Sequence, residues 1–229
     1  MIWTSRRPCV LLPTAGAPRH QRLRDITIAA EEKLIAGSAT QAVSRATAIR
    51  STIVTASRLA IRELGLDDAY FEHLAPAHHD AIRSITGGSW LSLDVALAHY
   101  RAADALGLPI ETQRAMGRSV AGRLQDSYAG SIIRSLRAAN ALTPRSGMTR
   151  FPTAWAWLVR GGDSRVYELG PKDLRVEFLG LPLAQIAYVR EGWAGMFEGT
   201  LSLVARSVYV HELPRLRGPD SCSYTLSWA

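Results

Sequence analysis

The chain changes rhythm once, near Pro144, and that change restricts it to one broad architecture. Upstream, apolar residues recur at helical intervals. Leu93, Ala96, Leu97, Tyr100 and Ala103 form a stripe that predicts a helix over 93–106, with Ser92 placed to cap it and Gly107-Leu108-Pro109 to end it. Downstream the segments are short and rich in aromatic or β-branched residues, and Gly161-Gly162-Asp163 and Gly170-Pro171-Lys172-Asp173 separate them. Strands are expected over 151–159, 165–169, 174–179, 201–211 and 223–228, interrupted by one helix over 184–200 whose face carries Ile186, Val189, Trp193 and Phe197. Helices first, then an antiparallel sheet with one covering helix, is an α+β plan.

The upstream half divides further. Residues 26–35 have helical spacing with Gly37 as a stop, and 38–50 reads as a linker or a helical continuation. An extended entry then runs into a helix ending at Gly65. Shorter helices are expected over 67–74, capped by Asp67 or Asp68, and over 77–85. Residues 111–140 suit two helices broken near Gly117 or Gly122.

Charge and cysteine usage narrow the function classes. The net charge is +7, but five arginines (6, 7, 19, 22 and 24) precede the first acidic residue, Asp25, and the remainder is close to balanced. Residues 1–24 therefore read as a disordered basic leader, with specific nucleic-acid binding not expected. The apolar patch Cys9–Leu12 is too short for a signal peptide and is flanked by Pro8 and Pro13. No apolar run is long enough to span a bilayer. Cys9 and Cys222 are the only cysteines, which suits a reducing compartment and a cytoplasmic protein.

From about Ser51 to Trp228 the order of segments resembles the 4-vinyl reductase domain family, distant relatives of the haem nitric-oxide-binding and TRAPP-subunit folds. The resemblance rests on STIVTASRLAIRELG, SWLSLDVALAHY with Trp90 before its helix, RAMGRSVAGRLQD, the E-L-G-P turn at 168–171, YVREGWAGMFEG with its central Gly192, and a closing hairpin, ELPRLRGPDSCSYTLSW. It covers the α+β domain over 51–229, and the leader 1–24 and a helix and linker over 25–50, read from charge and spacing, lie outside it. It implies a small-molecule sensor in which a ligand sits in an aromatic-walled cavity between helix and sheet.

Candidate site residues follow from that implication and from aromatic placement. Phe151, Trp155 and Trp157 share one face of the expected strand, and Tyr188, Trp193 and Phe197 lie on the covering helix. Ligand contacts are assigned to Trp155, Trp157, Tyr188, Trp193 and Phe197. Relatives of this kind hold zinc near the closing hairpin, and Cys222 falls where the last ligand would be. The partner cysteines are missing near Pro214 and near Ala187 or Tyr188, so Cys222 and His211 remain weak metal candidates and no cofactor is expected. Tyr128, Ser131 and Arg134 only approximate the propionate-binding pattern of the haem relatives, and His99 is the one helix histidine that could face such a group. His73, His78, His79 and Asp80 have the wrong spacing for a metal-binding helix face.

No nucleophile elbow, phosphate loop or dinucleotide fingerprint occurs. The reading is a non-enzymatic domain that binds a small hydrophobic or aromatic molecule, forms a homodimer and signals through a separate output protein. The alternatives are a ligand-free TRAPP-like scaffold and a haem gas sensor.

Overall fold

The computed structural model describes residues 32–40, 42–125 and 143–229, which fall in one compact unit, Glu32–Ala229. Strands Lys33–Ala36 (β1), Ala48–Arg50 (β2), Trp90–Ser92 (β3), Val159–Arg160 (β4), Asp163–Gly170 (β5), Asp173–Leu179 (β6), Val208–Glu212 (β7) and Cys222–Trp228 (β8) form two antiparallel sheets. One has the order β1-β5-β6-β8-β7 and the other β3-β2-β4. The helices are Ser51–Glu63 (α1), Asp67–His73 (α2), His79–Arg83 (α3), Leu93–Ala105 (α4), Ile110–Gln125 (α5), Pro144–Met148 (α6), Phe151–Leu158 (α7) and Ala187–Leu201 (α8). The result is the expected α+β architecture.

Local chemistry explains several boundaries. Ser92 Oγ accepts the Val95 amide at the start of α4, as its position predicted. In α2, by contrast, Asp67 and Asp68 lie inside the first turn and Leu66 is the cap residue, so the acids favour the positive end of the helix without capping it. The β5–β6 hairpin turns at the predicted Gly170–Asp173 segment.

Three expectations are corrected. Residues 33–36, read as the end of a helix, are β1, an edge strand paired with β5; Gly37 follows at φ +91°, where a side chain would meet the Ser164 carbonyl. The segment expected as strand 151–159 is helix α7. Thr143 builds a capping box that starts α6, and Pro152 sits in the first turn of α7, a position proline favours, whereas it would interrupt a sheet ladder. The expected strand 201–211 is shorter: α8 runs to Leu201, turns follow, and only Val208–Glu212 pairs with β8. The basic leader and the Tyr128–Ser131–Arg134 trio lie outside the described residues.

Helices α5 and α8 pack with unusually close backbones. A Cβ on Gly195 would run into the Arg114 carbonyl, and one on Gly117 into that of Gly192. Charge pairs border this contact: Arg114 bonds Glu191 at 2.7 Å and Glu198 at 3.2 Å, and Arg118 bonds Glu198 at 2.6 Å and also Glu111. Residues of both helices line the cavity described next.

Candidate functional site

The cavity is enclosed by α1, α4, α5, α7 and α8, with Ile49 of β2, Val159 of β4 and the Leu181–Leu183 connection completing it. All gaps among its wall atoms, including the mouth, total about 570 Å³; about 50 Å³ is wide enough for the centre of a water molecule. The larger figure includes open solvent, so the smaller is the better guide to what enters without side-chain movement. It suits a compact molecule rather than an extended one. No residue of the five-stranded sheet lines it, so the space lies among helices and the small sheet, not between helix and main sheet.

The structure brings together three of the five predicted contact residues. Trp155, Tyr188 and Trp193 line the cavity and are buried. Trp155 stacks on Phe178 at 4.7 Å and tilts against Trp193 at 5.8 Å. Phe197 is buried but packs against Phe151, Phe178 and Tyr224 outside the lining. Trp157 is 70% exposed, because in a helix it lies roughly 200° around the axis from Trp155.

One polar wall of the cavity was not legible from spacing. Ser57 and Tyr188 line it, and their hydroxyls are 2.8 Å apart. Ser57 Oγ is 3.1 Å from His99 Nε2, and His99 Nδ1 is 2.8 Å from the Tyr70 hydroxyl. His99 is fully buried on α4, and burial, aided by the Arg58 charge, pushes it down to about 3, so the ring is neutral. Its proton can then be assigned. If Tyr70 did not donate to Nδ1, its buried hydroxyl would lack an acceptor among the described residues. Tyr70 therefore donates to His99, His99 Nε2 donates to Ser57, and Ser57 donates to Tyr188. The Tyr188 proton is left with only the Met116 sulfur, 3.9 Å away at the cavity wall. Burial raises the Tyr188 phenol to about 12, so it stays a donor at neutral pH.

The metal candidates are placed elsewhere. Cys222 is buried on β8; burial pushes its thiol up to about 12, and it donates to the Tyr224 hydroxyl at 3.7 Å, which in turn donates to the Arg190 carbonyl. His211 is exposed on β7, and Glu212 is held by Arg190 and Arg217. His79 bonds the Leu74 carbonyl and His78 lies 3.8 Å from Asp94. No three His, Cys, Asp or Glu side chains converge on a metal position among the described residues.

Solved structures share this fold. An Fe(II) unliganded H-NOX protein from K. algicida superposes with a TM-score of 0.60 at 10% identity, over 79% of this chain and 97% of that one. An oxygen-binding H-NOX domain related to soluble guanylate cyclases gives 0.53 at 13%, over 79% and 95%. An H-NOX structure from a study of haem distortion gives 0.54 at 16%, over 79% and 95%. The fold is therefore of the H-NOX kind. Residues 95–229 match the family DUF2378, proteins of unknown function, and the chain belongs to that family. No curated protein matches the chain.

That fold invites a test for haem. Iron needs an axial histidine, thiolate, phenolate or histidine–methionine pair, and the propionates need cations. The cavity lining has no histidine, cysteine, lysine or arginine. Both nitrogens of His99 are engaged by Tyr70 and Ser57, and Tyr188 resists ionisation. Residues 126–142, which contain Tyr128, Arg134 and Arg137 but neither histidine nor cysteine, lie outside the described residues. Among the described residues, the donor set of this cavity does not fit haem.

Among the described residues, no helix is long and apolar enough to cross a membrane.

Proposed function

We propose that this chain is a haem-free sensory domain that binds a small, uncharged, largely apolar molecule in the cavity beside α8. The observation that carries the reading is the cavity itself: a buried space walled by Trp155, Tyr188, Trp193, Met116 and Met196, with no carboxylate, histidine, lysine or arginine among its lining residues. A charged ligand would lose its hydration there without a counter-charge, which strongly disfavours it. The resemblance of the motif order to 4-vinyl reductase domains, and the H-NOX-like fold, support a sensory role. In this reading α8 and α5 move together when the cavity fills, since their glycine contact and charge pairs couple them. The changed surface is read by a separate output protein, in a homodimer in the cytoplasm.

Haem gas sensing is the second reading, favoured by the H-NOX structures and opposed by the donor set. One experiment addresses both. The purified protein is mixed with haem and, separately, with a panel of uncharged aromatic and aliphatic compounds, and thermal unfolding and visible spectra are recorded. The expected result is a raised Tm with members of the compound panel and no Soret shift with haem. A shifted Soret band at one haem per chain, with no response to the panel, would replace the first reading by the second.

A further inference from the structure

Two residues that line the cavity each carry a buried polar atom without a partner among the described residues. Gln113 Oε1 and Trp155 Nε1 have no hydrogen-bond partner among the described residues, and both residues are more than nine-tenths buried. The orientation of the Gln113 amide is fixed, because its nitrogen donates to the Leu108 carbonyl at 2.7 Å just before α5 begins. Exchanging O and N would set two carbonyl oxygens against each other, so the oxygen must be the free atom. Elsewhere in the core the pattern is mixed: His99 has two partners, Ser57 bonds both His99 and Tyr188, and Tyr224 bonds a backbone carbonyl. The fully buried Ser164 and Ser223 hydroxyls, by contrast, also lack partners among the described residues. What sets Gln113 and Trp155 apart is that both line the cavity. An unmatched buried acceptor and an unmatched buried donor in one apolar cavity need an explanation beyond stability, since each costs free energy in the unliganded fold.

We infer that Gln113 is a specificity-determining residue of the cavity, and that the ligand is an uncharged molecule with an apolar body, an O–H or N–H group that donates to Gln113 Oε1, and an acceptor. The acceptor is met by Trp155 Nε1–H or by the Tyr188 hydroxyl, whose proton otherwise has only the Met116 sulfur. This rests on the cavity being the ligand site and sharpens it: hydrocarbons, ethers and carboxylates are disfavoured, and alcohols and primary amides are favoured. A site whose buried polar atoms await a partner discriminates strongly against an analogue that lacks it.

The test uses four probes of similar size: benzyl alcohol, benzyl methyl ether, toluene and benzoate. Binding to the full chain is measured by calorimetry or by quenching of tryptophan fluorescence. Benzyl alcohol is expected to bind about tenfold or more tightly than the ether or toluene, with benzoate weakest. In Gln113→Leu the advantage of the alcohol over the ether should fall to less than about threefold while toluene binding is kept or improved. Gln113→Met serves as the second variant, with circular dichroism and Tm confirming the fold of each. Equal binding of alcohol, ether and toluene by the wild type would overturn the inference and leave the cavity reading standing. An alcohol preference unchanged in both variants would overturn the role of Gln113. No binding of any probe by the wild type would overturn the cavity reading, and the inference with it.

Discussion

Two sets of buried polar groups meet at the same cavity and are treated oppositely by the fold. The chain Tyr70–His99–Ser57–Tyr188 links α2, α4, α1 and α8, and each of its members has a partner. Gln113 and Trp155, in the same lining, each keep one atom with no partner among the described residues. A matched buried network fixes the mutual position of the elements it joins, because breaking any member exposes the full desolvation cost of its neighbour. An unmatched group does the reverse. It weakens the unliganded fold slightly and keeps bonding capacity for something that arrives. The contrast separates framework from recognition within one core, where burial alone would have treated both alike.

The comparison breaks first at His99. Replacing it with leucine fills most of the volume but strips the acceptor from Tyr70 and the donor from Ser57. The expected loss is about 3 kcal/mol of unfolding free energy, read from urea denaturation as a fall in midpoint with little change in slope. Adding Tyr70→Phe to that variant should recover about 1 kcal/mol, because the stranded hydroxyl is then gone. Additive losses in the double variant would mean that Tyr70 has another acceptor and that the proton order assigned above is wrong.

Acid sharpens the same comparison with a somewhat smaller effect. His99 in the folded chain is pushed down to about 3, below the ordinary value of about 6.5 that the unfolded chain keeps. As pH falls below about 6.5 the unfolded state takes up this proton and the folded state does not, so the contribution, complete above that value, declines until pH reaches the folded value. The slope is about 1.4 kcal/mol per pH unit, which makes this one group cost about 2 kcal/mol at pH 5 relative to pH 8. His99→Gln, which cannot titrate, should lose that component. Unfolding curves of both proteins at pH 5 and pH 8 check it, and parallel slopes would show that His99 gains its proton in the folded state as readily as in the unfolded one.

How much of this was legible before the structure depends on whether a feature is local. The Ser92 cap and the β5–β6 turn are, because each depends on residues within a few positions of one another. The segment Phe151–Leu158 was misread because aromatic alternation also fits an i, i+4 pair, and Phe151 and Trp155 form one; Pro152 was the signal that favoured a helix. Trp155, Tyr188 and Trp193 could be nominated from the sequence because large aromatics bury on their own account. Ser57 and Gln113 could not. Ser57 meets Tyr188 across 131 residues of chain, and nothing near Gln113 in the sequence says that its oxygen faces no partner. Polar residues gain their meaning from tertiary neighbours, whereas hydrophobic ones carry much of it with them.

The smallest effect is the most discriminating. Gln113→Leu removes one satisfied bond, to the Leu108 carbonyl, and one unsatisfied buried oxygen. Losing the bond costs about 1 kcal/mol, and losing the stranded acceptor returns a similar amount, so the variant should unfold within about 1 kcal/mol of the wild type in the absence of any probe. A polar-to-apolar change at the saturated His99 and one at the unsaturated Gln113 then differ severalfold in stability, although both residues are buried in the same core. If Gln113→Leu instead loses as much as His99→Leu, its oxygen is engaged in the folded protein. The distinction between framework and recognition would then have to be redrawn with Gln113 on the framework side.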